Sequence, residues 1–342
     1  MPLKATSDNM KRLCFLGGVL ILVWISTGSW GFLVHRTVNQ LAVYELPKKL
    51  RLFFYTNMDY IVKHSVRPDL RRNEDSTEDT KHFIDLEVFG DSAAWKMPMV
   101  WDDAVRLYTK DSLVKYGYVP YHIVEMKNRL TTAFRNRNKD SILFYAADLA
   151  HYIGDAHVPL HTTLNYDGQL TNQKGLHSLW ESMIPEIELD QYDLSSRHKA
   201  KYLKHPEQSI WNAIRTAHKL TMDVLLQEKE ASKGFVDSTK FRMQLRRGKE
   251  VKGYTTQFAK AYSLRLGATI NGQLINSANL IADFWYTSWM DAGKPDLHGF
   301  IISNSTDSVK KNMKRECRAF KENTLLKEKL LISRQELPTP VP

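Results

Sequence analysis

The segment that most restricts the fold is DSILFYAADLAHYIGDAHVPLH, residues 140–161. Ile142, Tyr145, Ala146, Leu149 and Ile153 recur at helical spacing, so Asp140 to Val158 is expected to form an amphipathic helix. Pro159 cannot continue it. His151 and Asp155 stand one turn apart on that helix, and the stop at Pro159 lets the chain turn and return His161 to the same neighbourhood. Further on, GLHSLWE opens another expected helix, Leu176 to Met183, where His177 and Glu181 repeat the one-turn spacing. Any fold of this chain must therefore pack histidines and carboxylates onto adjoining helices.

A histidine followed four places later by a carboxylate has little weight alone. With 12 histidines and 38 acidic residues in 342, roughly 1.3 such pairs arise by chance. The chain has two, and either would serve as a helix-surface contact worth about 0.2–0.5 kcal/mol. Crowding is the informative feature, because both pairs and His161 fall within 31 residues. Imidazole and carboxylate are good zinc donors, and a set without thiolate is more usual at catalytic than at structural sites. The pattern favours a metal site over a structural hydrogen-bond network.

Elsewhere the chain reads as helices. Helical spacing runs from Val34 to about His64 with a break at Pro47, and recurs over 102–116, 120–135, 208–231 and 255–289. SVRPDLRRNEDSTEDT reads as a polar loop, and no alternating run is long enough to build a sheet. The expected fold is all-α, a single multi-helix domain over residues 30–300 with a metal-lined cleft. Residues 1–29 have the form of a secretory signal: Lys11 and Arg12, the run LCFLGGVLILVWIS, then TGS with cleavage after Ser29. The run is short for a membrane span of roughly 20 residues; an uncleaved anchor is the alternative, and Met10 an alternative start. Export to a periplasm or the exterior follows. Of the two cysteines, Cys14 leaves with the signal, so Cys317 has no partner for an internal disulfide. Residues 301–342 form a basic tail, either a surface helix or without fixed structure. The formal charge of +10 suits nucleic acid or an anionic membrane surface, although no run of five basic residues concentrates it. No protein partner is inferable.

WGFLVH, then PDLRR followed by HFID, then HYIGDAHVPLH and GLHSLWE stand in an order and at separations that resemble a known superfamily. It comprises bacterial zinc-dependent phospholipase C and the plant and fungal single-strand-specific nucleases. The likeness covers Trp30 to Glu181. It implies three zinc ions in a cleft among helices. His151, Asp155, His82 and Asp69 would hold one ion of a close pair, with Asp155 bridging to the second. Trp30, freed by cleavage, would give its α-amine and carbonyl oxygen to that second ion, helped by His35. His161, His177 and Glu181 would hold the third. Asp69, as ligand or general base, would orient or deprotonate the attacking water in a zinc-dependent phosphodiester hydrolysis. His157 matches no ligand position and is expected behind the ligands or on the surface, and Asp85 is a candidate to orient His82.

The substrate signals divide. The short interval from Trp30 to His35 is nuclease-like, whereas the short interval from His161 to His177 and the glutamate at 181 are closer to phospholipase C. Trp95, Trp101, Tyr116, Tyr118 and Tyr121 are candidates for base stacking, or else core and rim residues. The expectation slightly favours a phospholipase C-like activity, with peripheral contact at a membrane surface. A single-strand-specific endonuclease is the alternative, and a non-catalytic zinc-binding protein a third reading. Only three protein ligands are expected for the third ion, which favours catalysis over a closed structural site.

Overall fold

Prolines and residues with positive φ decide where the helices stop. The computed structural model describes residues 31–246, 249–301 and 306–335, so Trp30 and the expected signal segment lie outside the described residues. Helix α1, Phe32–Glu45, ends just before Pro47; α2, Lys48–Tyr55, and α3, Met58–His64, follow, with a further break at Thr56 and Asn57. The stretch expected to be a polar loop instead contains α4, Arg67–Arg71, with Arg67, Pro68 and Asp69 buried. Pro68 presets φ in its first turn, and buried partners on other helices neutralise its charges. The helix expected over 102–116 is two, α5 Trp101–Tyr108 and α6 Lys110–Tyr116, divided at Thr109 with φ of 64°.

Helix α7, Val119–Arg135, packs beside α8, Lys139–Asp155. The latter ends earlier than its sequence pattern, because residues Pro159–Thr162 close a 3₁₀ turn instead. Helix α9 spans Pro206–Ser232. A hairpin of β1, Phe241–Arg246, and β2, Lys249–Tyr254, pairs Phe241 with Tyr254; six-residue strands are too short to stand out as alternation in the sequence. The single helix expected over 255–289 is α10, Thr256–Leu266, and α11, Thr269–Asp291, separated at Gly267, whose φ of 57° is a left-handed backbone that glycine adopts readily.

Helix α1 lies at the centre. From Val34 to Glu45 only Arg36 escapes full burial, so α1 has no solvent face and its polar side chains need internal partners. Asn39 Nδ2 donates to the His35 carbonyl at 2.9 Å. Thr37 and Ser333 hydroxyls are 2.7 Å apart, Gln40 Nε2 donates to Leu330 O at 2.8 Å, and Ile332 N donates back to Gln40 Oε1 at 2.8 Å. These bonds tie the C-terminal region to the core. The tail that the sequence leaves as a surface helix or unstructured is helix α12, Thr306–Lys321, and the segment after it, docked through buried Met313, Cys317, Phe320 and Leu331. Tyr44 and Tyr55 hydroxyls both donate to Glu316, at 2.8 and 2.5 Å. Behind α1, Trp285 stacks on Phe54 with centroids 4.6 Å apart and donates Nε1–H to Ala146 O at 3.0 Å. Among the described residues no helix is long and apolar enough to cross a membrane.

One turn carries the strand-like segment around His82 into place. Asp85 N donates to Tyr116 O at 2.8 Å and Val119 N to Phe83 O at 3.1 Å. Gly117 lies between them with φ of 86°, and a Cβ there would stand 2.3 Å from the Phe83 carbonyl oxygen. Gly117→Ala should therefore cost more than about 2 kcal/mol in urea denaturation and, because Phe83 follows His82, should also lower metal retention.

Candidate metal centre

Six pieces of chain deliver the candidate ligands. The last turn of α8 presents His151 and Asp155, the first turn of α1 presents His35, and α4 presents Asp69. His82 follows the 3₁₀ turn Asp79–Lys81, and His161 lies in the turn Pro159–Thr162. His177 and Glu181 stand on the helical stretch that begins after Gly175; Glu181 is in its π-helical turn, Leu179–Met183. A π-helical turn is a frequent mark of a functional position. Gly31 N donates to Ser182 Oγ at 3.2 Å, so the chain enters the fold one residue from Glu181. Trp30 itself is outside the described residues.

The donor atoms form three groups, each with its atoms within 4.8 Å of one another: His35, Asp69 and His151; His82, His151 and Asp155; His161, His177 and Glu181. His82 Nδ1 lies 2.8 Å from Asp155 Oδ2 and 3.2 Å from His151 Nε2. His151 Nε2 is 3.3 Å from Asp155 Oδ2 and 3.7 Å from Asp69 Oδ1. The other oxygen of Asp155 is 3.5 Å from His35 Nε2 and 3.7 Å from His161 Nδ1, which places this carboxylate between the groups. In the third group, His161 Nε2 to His177 Nε2 is 2.8 Å, His177 Nε2 to Glu181 Oε2 is 2.9 Å and His161 Nε2 to Glu181 Oε2 is 3.4 Å.

Hydrogen bonds outside the cluster fix which nitrogen faces inward. His151 Nδ1–H donates to Ser65 O at 2.8 Å and His161 Nδ1–H to His82 O at 2.9 Å, so each ring turns a bare Nε2 toward its group. His82 is backed by Glu78, whose Oε1 lies 3.6 Å from Nε2 and also accepts from the Tyr152 hydroxyl and, at 3.1 Å, from Arg71. Asp148, one turn before Tyr152, is bound by Arg67 at 2.5 Å and Arg71 at 2.8 Å.

The charge balance fits a cation. Asp69, Asp155 and Glu181 are all buried, while Arg67 and Arg71 are spent on Asp148 and Glu78. Both oxygens of Asp69, Oδ1 of Asp155 and Oε2 of Glu181 accept no hydrogen bond. Burial raises the Asp69 carboxyl above its usual range. Asp155 is pulled the other way: burial favours its neutral form, but His151 and His161 hold it far below the usual carboxylate range. Burial alone would discharge His82, yet Asp155 and Glu78 keep it up at about 9. Glu181 is held at about 2 against its burial by His177 and His161. Donors around a tetrahedral zinc stand ~3.3–3.5 Å apart; one edge of the third group has that length, at 3.4 Å, and the other two are shorter, at 2.8 and 2.9 Å. Orphaned buried carboxylate oxygens and inward-turned imidazole nitrogens fit a divalent cation such as zinc.

All the described candidates thus converge: His35, Asp69, His82, His151, Asp155, His161, His177 and Glu181. Two outer assignments are corrected. Asp85 does not orient His82; burial and Glu87 raise it to about 6, and Glu78 occupies the place expected of it. His157 is a core residue, donating Nδ1–H to Ile153 O at 2.8 Å, and burial lowers it to about 4. Of the aromatic candidates, Tyr121 is buried and donates to Pro98 O at 2.6 Å; Trp101, Tyr116 and Tyr118 pack against the core, and Trp95 is exposed. Sequence reasoning missed Glu78, Tyr152 and Arg72; Glu78 stands four residues before His82 and Arg72 three after Asp69, a one-turn spacing that could have found them, whereas Tyr152 has no such signal. Arg72, one turn after Asp69 and 3.6 Å from its Oδ1, also pairs with Asp79 at the solvent edge.

The profile of the S1/P1 nucleases matches residues 30–283, and the chain belongs to that family. The family is one of zinc enzymes, and membership supports phosphodiester hydrolysis as the class of activity. No curated protein sequence matches the chain. Among solved structures the chain is similar to the alpha-toxin from Clostridium absonum, at 12% identity and a TM-score of 0.44, covering 79% of this chain and 65% of that one. It is likewise similar to the alpha-toxin of an avian strain of Clostridium perfringens, at 14% identity and a TM-score of 0.44, with 79% and 65% covered. The chain thus spans 65% of the length of each toxin.

A zinc ion held by His82 would require the ring neutral, whereas Asp155 and Glu78 keep it protonated up to about 9. Titrating zinc at pH 7.5 in two buffers of different ionisation enthalpy should release about one proton per chain from this ring. Apparent affinity should rise with pH toward 9 and weaken below it. Uptake indifferent to pH over that interval would contradict the arrangement.

Proposed function

We propose that the protein is an exported zinc-dependent phosphodiester hydrolase acting on single-stranded nucleic acid. The observation that supports this most is the convergence of His82, Asp155 and His161, from three separated segments, on one buried cluster with orphaned carboxylate oxygens. His82, His151, Asp155 and Asp69 would hold one ion, with Asp155 shared with a second held by His35 and the freed Trp30. His161, His177 and Glu181 would hold the third. Zinc, when bound, supplies Lewis acidity toward water and phosphoryl oxygens.

The chain's own groups do the rest. Asp69 has two oxygens without hydrogen bonds and a carboxyl raised by burial, so it is placed to orient a water molecule or accept its proton. Arg72, with a third of its side chain exposed, offers a guanidinium to a phosphoryl oxygen beside that carboxylate. His177 is 22% exposed in its side chain and marks the open side of the cluster. Tyr166, half exposed and with its ring 6.1 Å from that of His177, presents an aromatic face where a base could stack. Membership of a nuclease family and a basic surface support the nucleic-acid substrate.

A phospholipid substrate is the second reading. It is favoured by Leu164 and Leu170, 40% and 65% exposed on the short loop between His161 and His177, and by glutamate at 181. Purified exported protein assayed in parallel on single-stranded DNA and phosphatidylcholine decides between them. Chelator-sensitive cleavage of DNA is expected, with Glu181→Ala lowering kcat at least about a hundredfold. Cleavage of phosphatidylcholine alone would select the second reading, and zinc-loaded protein inert toward both would leave only metal binding. Mass spectrometry of the same sample should find a chain beginning at Trp30; a retained apolar run would remove Trp30 from the ligand set.

A further inference from the structure

An excess of five positive charges lies in residues 306–335, beyond the residues that the family match covers. Residues 306–335 contain nine basic and four acidic residues, against a formal charge of +10 for the whole chain, while the match ends at 283. Helix α12 sorts these charges onto one side. Met313, Cys317 and Phe320 are buried in the core, while Lys310, Lys311, Lys314, Arg315, Arg318 and Lys321 are exposed along one flank and the outer side of the helix. Lys310 approaches Asp307 and Arg315 pairs with Glu328, but Lys314, Arg318 and Lys321 have no ion pair among the described residues.

Those three line a cavity of about 370 Å³ together with Arg51, and Glu322 is its one carboxylate. A neighbouring cavity of about 300 Å³ shares Arg51 and Lys321 and adds Arg197 and Lys199, with Glu45, which burial raises to about 7, as its carboxylate. Two adjoining hollows with cations converging on each suit discrete, regularly repeated anions. We propose that this face of α12 is a second contact site for the phosphates of a single-stranded polynucleotide, separate from the metal centre. The inference rests on the nucleic-acid reading given above. A bilayer fits less well, because a helix that binds lipid turns apolar side chains outward, and those of α12 are spent in the core. The site lies along α1 from the metal cluster. His35 enters that cluster near the start of the helix, and Tyr44, nine residues on, is bonded to Glu316. The rise over that interval is ~13 Å, a gap a flexible strand can follow over the surface.

The test uses the full chain carrying Asp69→Asn, so that the strand is not cut, and a fluorescein-labelled oligothymidine of about 20 residues read by anisotropy across a salt series. Adding Lys314→Glu, Arg318→Glu and Lys321→Glu should weaken binding at least about tenfold and reduce the slope of log affinity against log salt by about 2. Lys314→Arg with Lys321→Arg should retain the affinity. With Asp69 intact, the three charge reversals should leave hydrolysis of bis-p-nitrophenyl phosphate unchanged. Undiminished oligonucleotide binding by the reversed variant would overturn the proposal, as would loss of binding to phosphatidylglycerol vesicles with oligonucleotide binding intact. Failure of the catalytic reading is recognised separately, as absence of chelator-sensitive hydrolysis in protein that still binds the strand through α12.

Discussion

Three buried carboxylates that face one another without enough fixed positive charge are the constraint on which this structure turns. Asp69, Asp155 and Glu181 are each nine-tenths or more inaccessible, and carboxylates so placed are tolerated only when cations or hydrogen-bond donors meet them. Arg67 and Arg71 do not fill that need, since they bind Asp148 and Glu78, and Arg72 approaches only Asp69, at 3.6 Å. Imidazoles fill it in part: His82 stays protonated beside Asp155, and His177 is raised despite its burial because Glu181 stands against it. Metal ions would complete what the imidazoles begin.

The surroundings serve that cluster. Backbone carbonyls of Ser65 and His82 take the outer ring protons of His151 and His161, which leaves the inner nitrogens free to bind. The reciprocal bond from Ile84 N to His161 O, at 2.9 Å, fastens the segment carrying His82 to the one carrying His161. Glu78 holds His82 from behind while Tyr152, Arg71 and Lys81 hold Glu78. Small displacements in this layer would move the candidate donor atoms, since Glu78 touches the ring of His82 from the side away from Asp155.

Helix α1 joins the cluster to the C-terminal region. Its first turn supplies His35, its middle supplies Thr37 and Gln40 to residues 330–333, and its end meets α12 through Tyr44. The basic arc of α12 is thereby held at a defined distance from the metal centre by a fully buried rod. A loosely attached tail would have offered the same charge with no fixed geometry.

The all-α class and part of the candidate ligand set were legible in the sequence because both rest on local spacing, whereas His35, Asp69 and His82 were reached only through the resemblance to a known superfamily. Apolar residues at helical intervals mark α7, α8 and α9, and one-turn separation puts His151 with Asp155 and His177 with Glu181 whatever lies around them. Helix breaks at Thr109 and Gly267 and the hairpin after Lys240 were not legible, since a positive φ at a single residue or a six-residue strand leaves almost no periodic trace. Nor was the choice of Glu78 over Asp85 as the support of His82, or the docking of the tail. These depend on residues separated widely in the chain: Glu78 meets Tyr152, and Thr37 meets Ser333. Sequence determined which side chains share a helix face. Only the tertiary structure decided which faces meet, because that choice comes from burying polar groups of α1 and α8 against partners that no local pattern names.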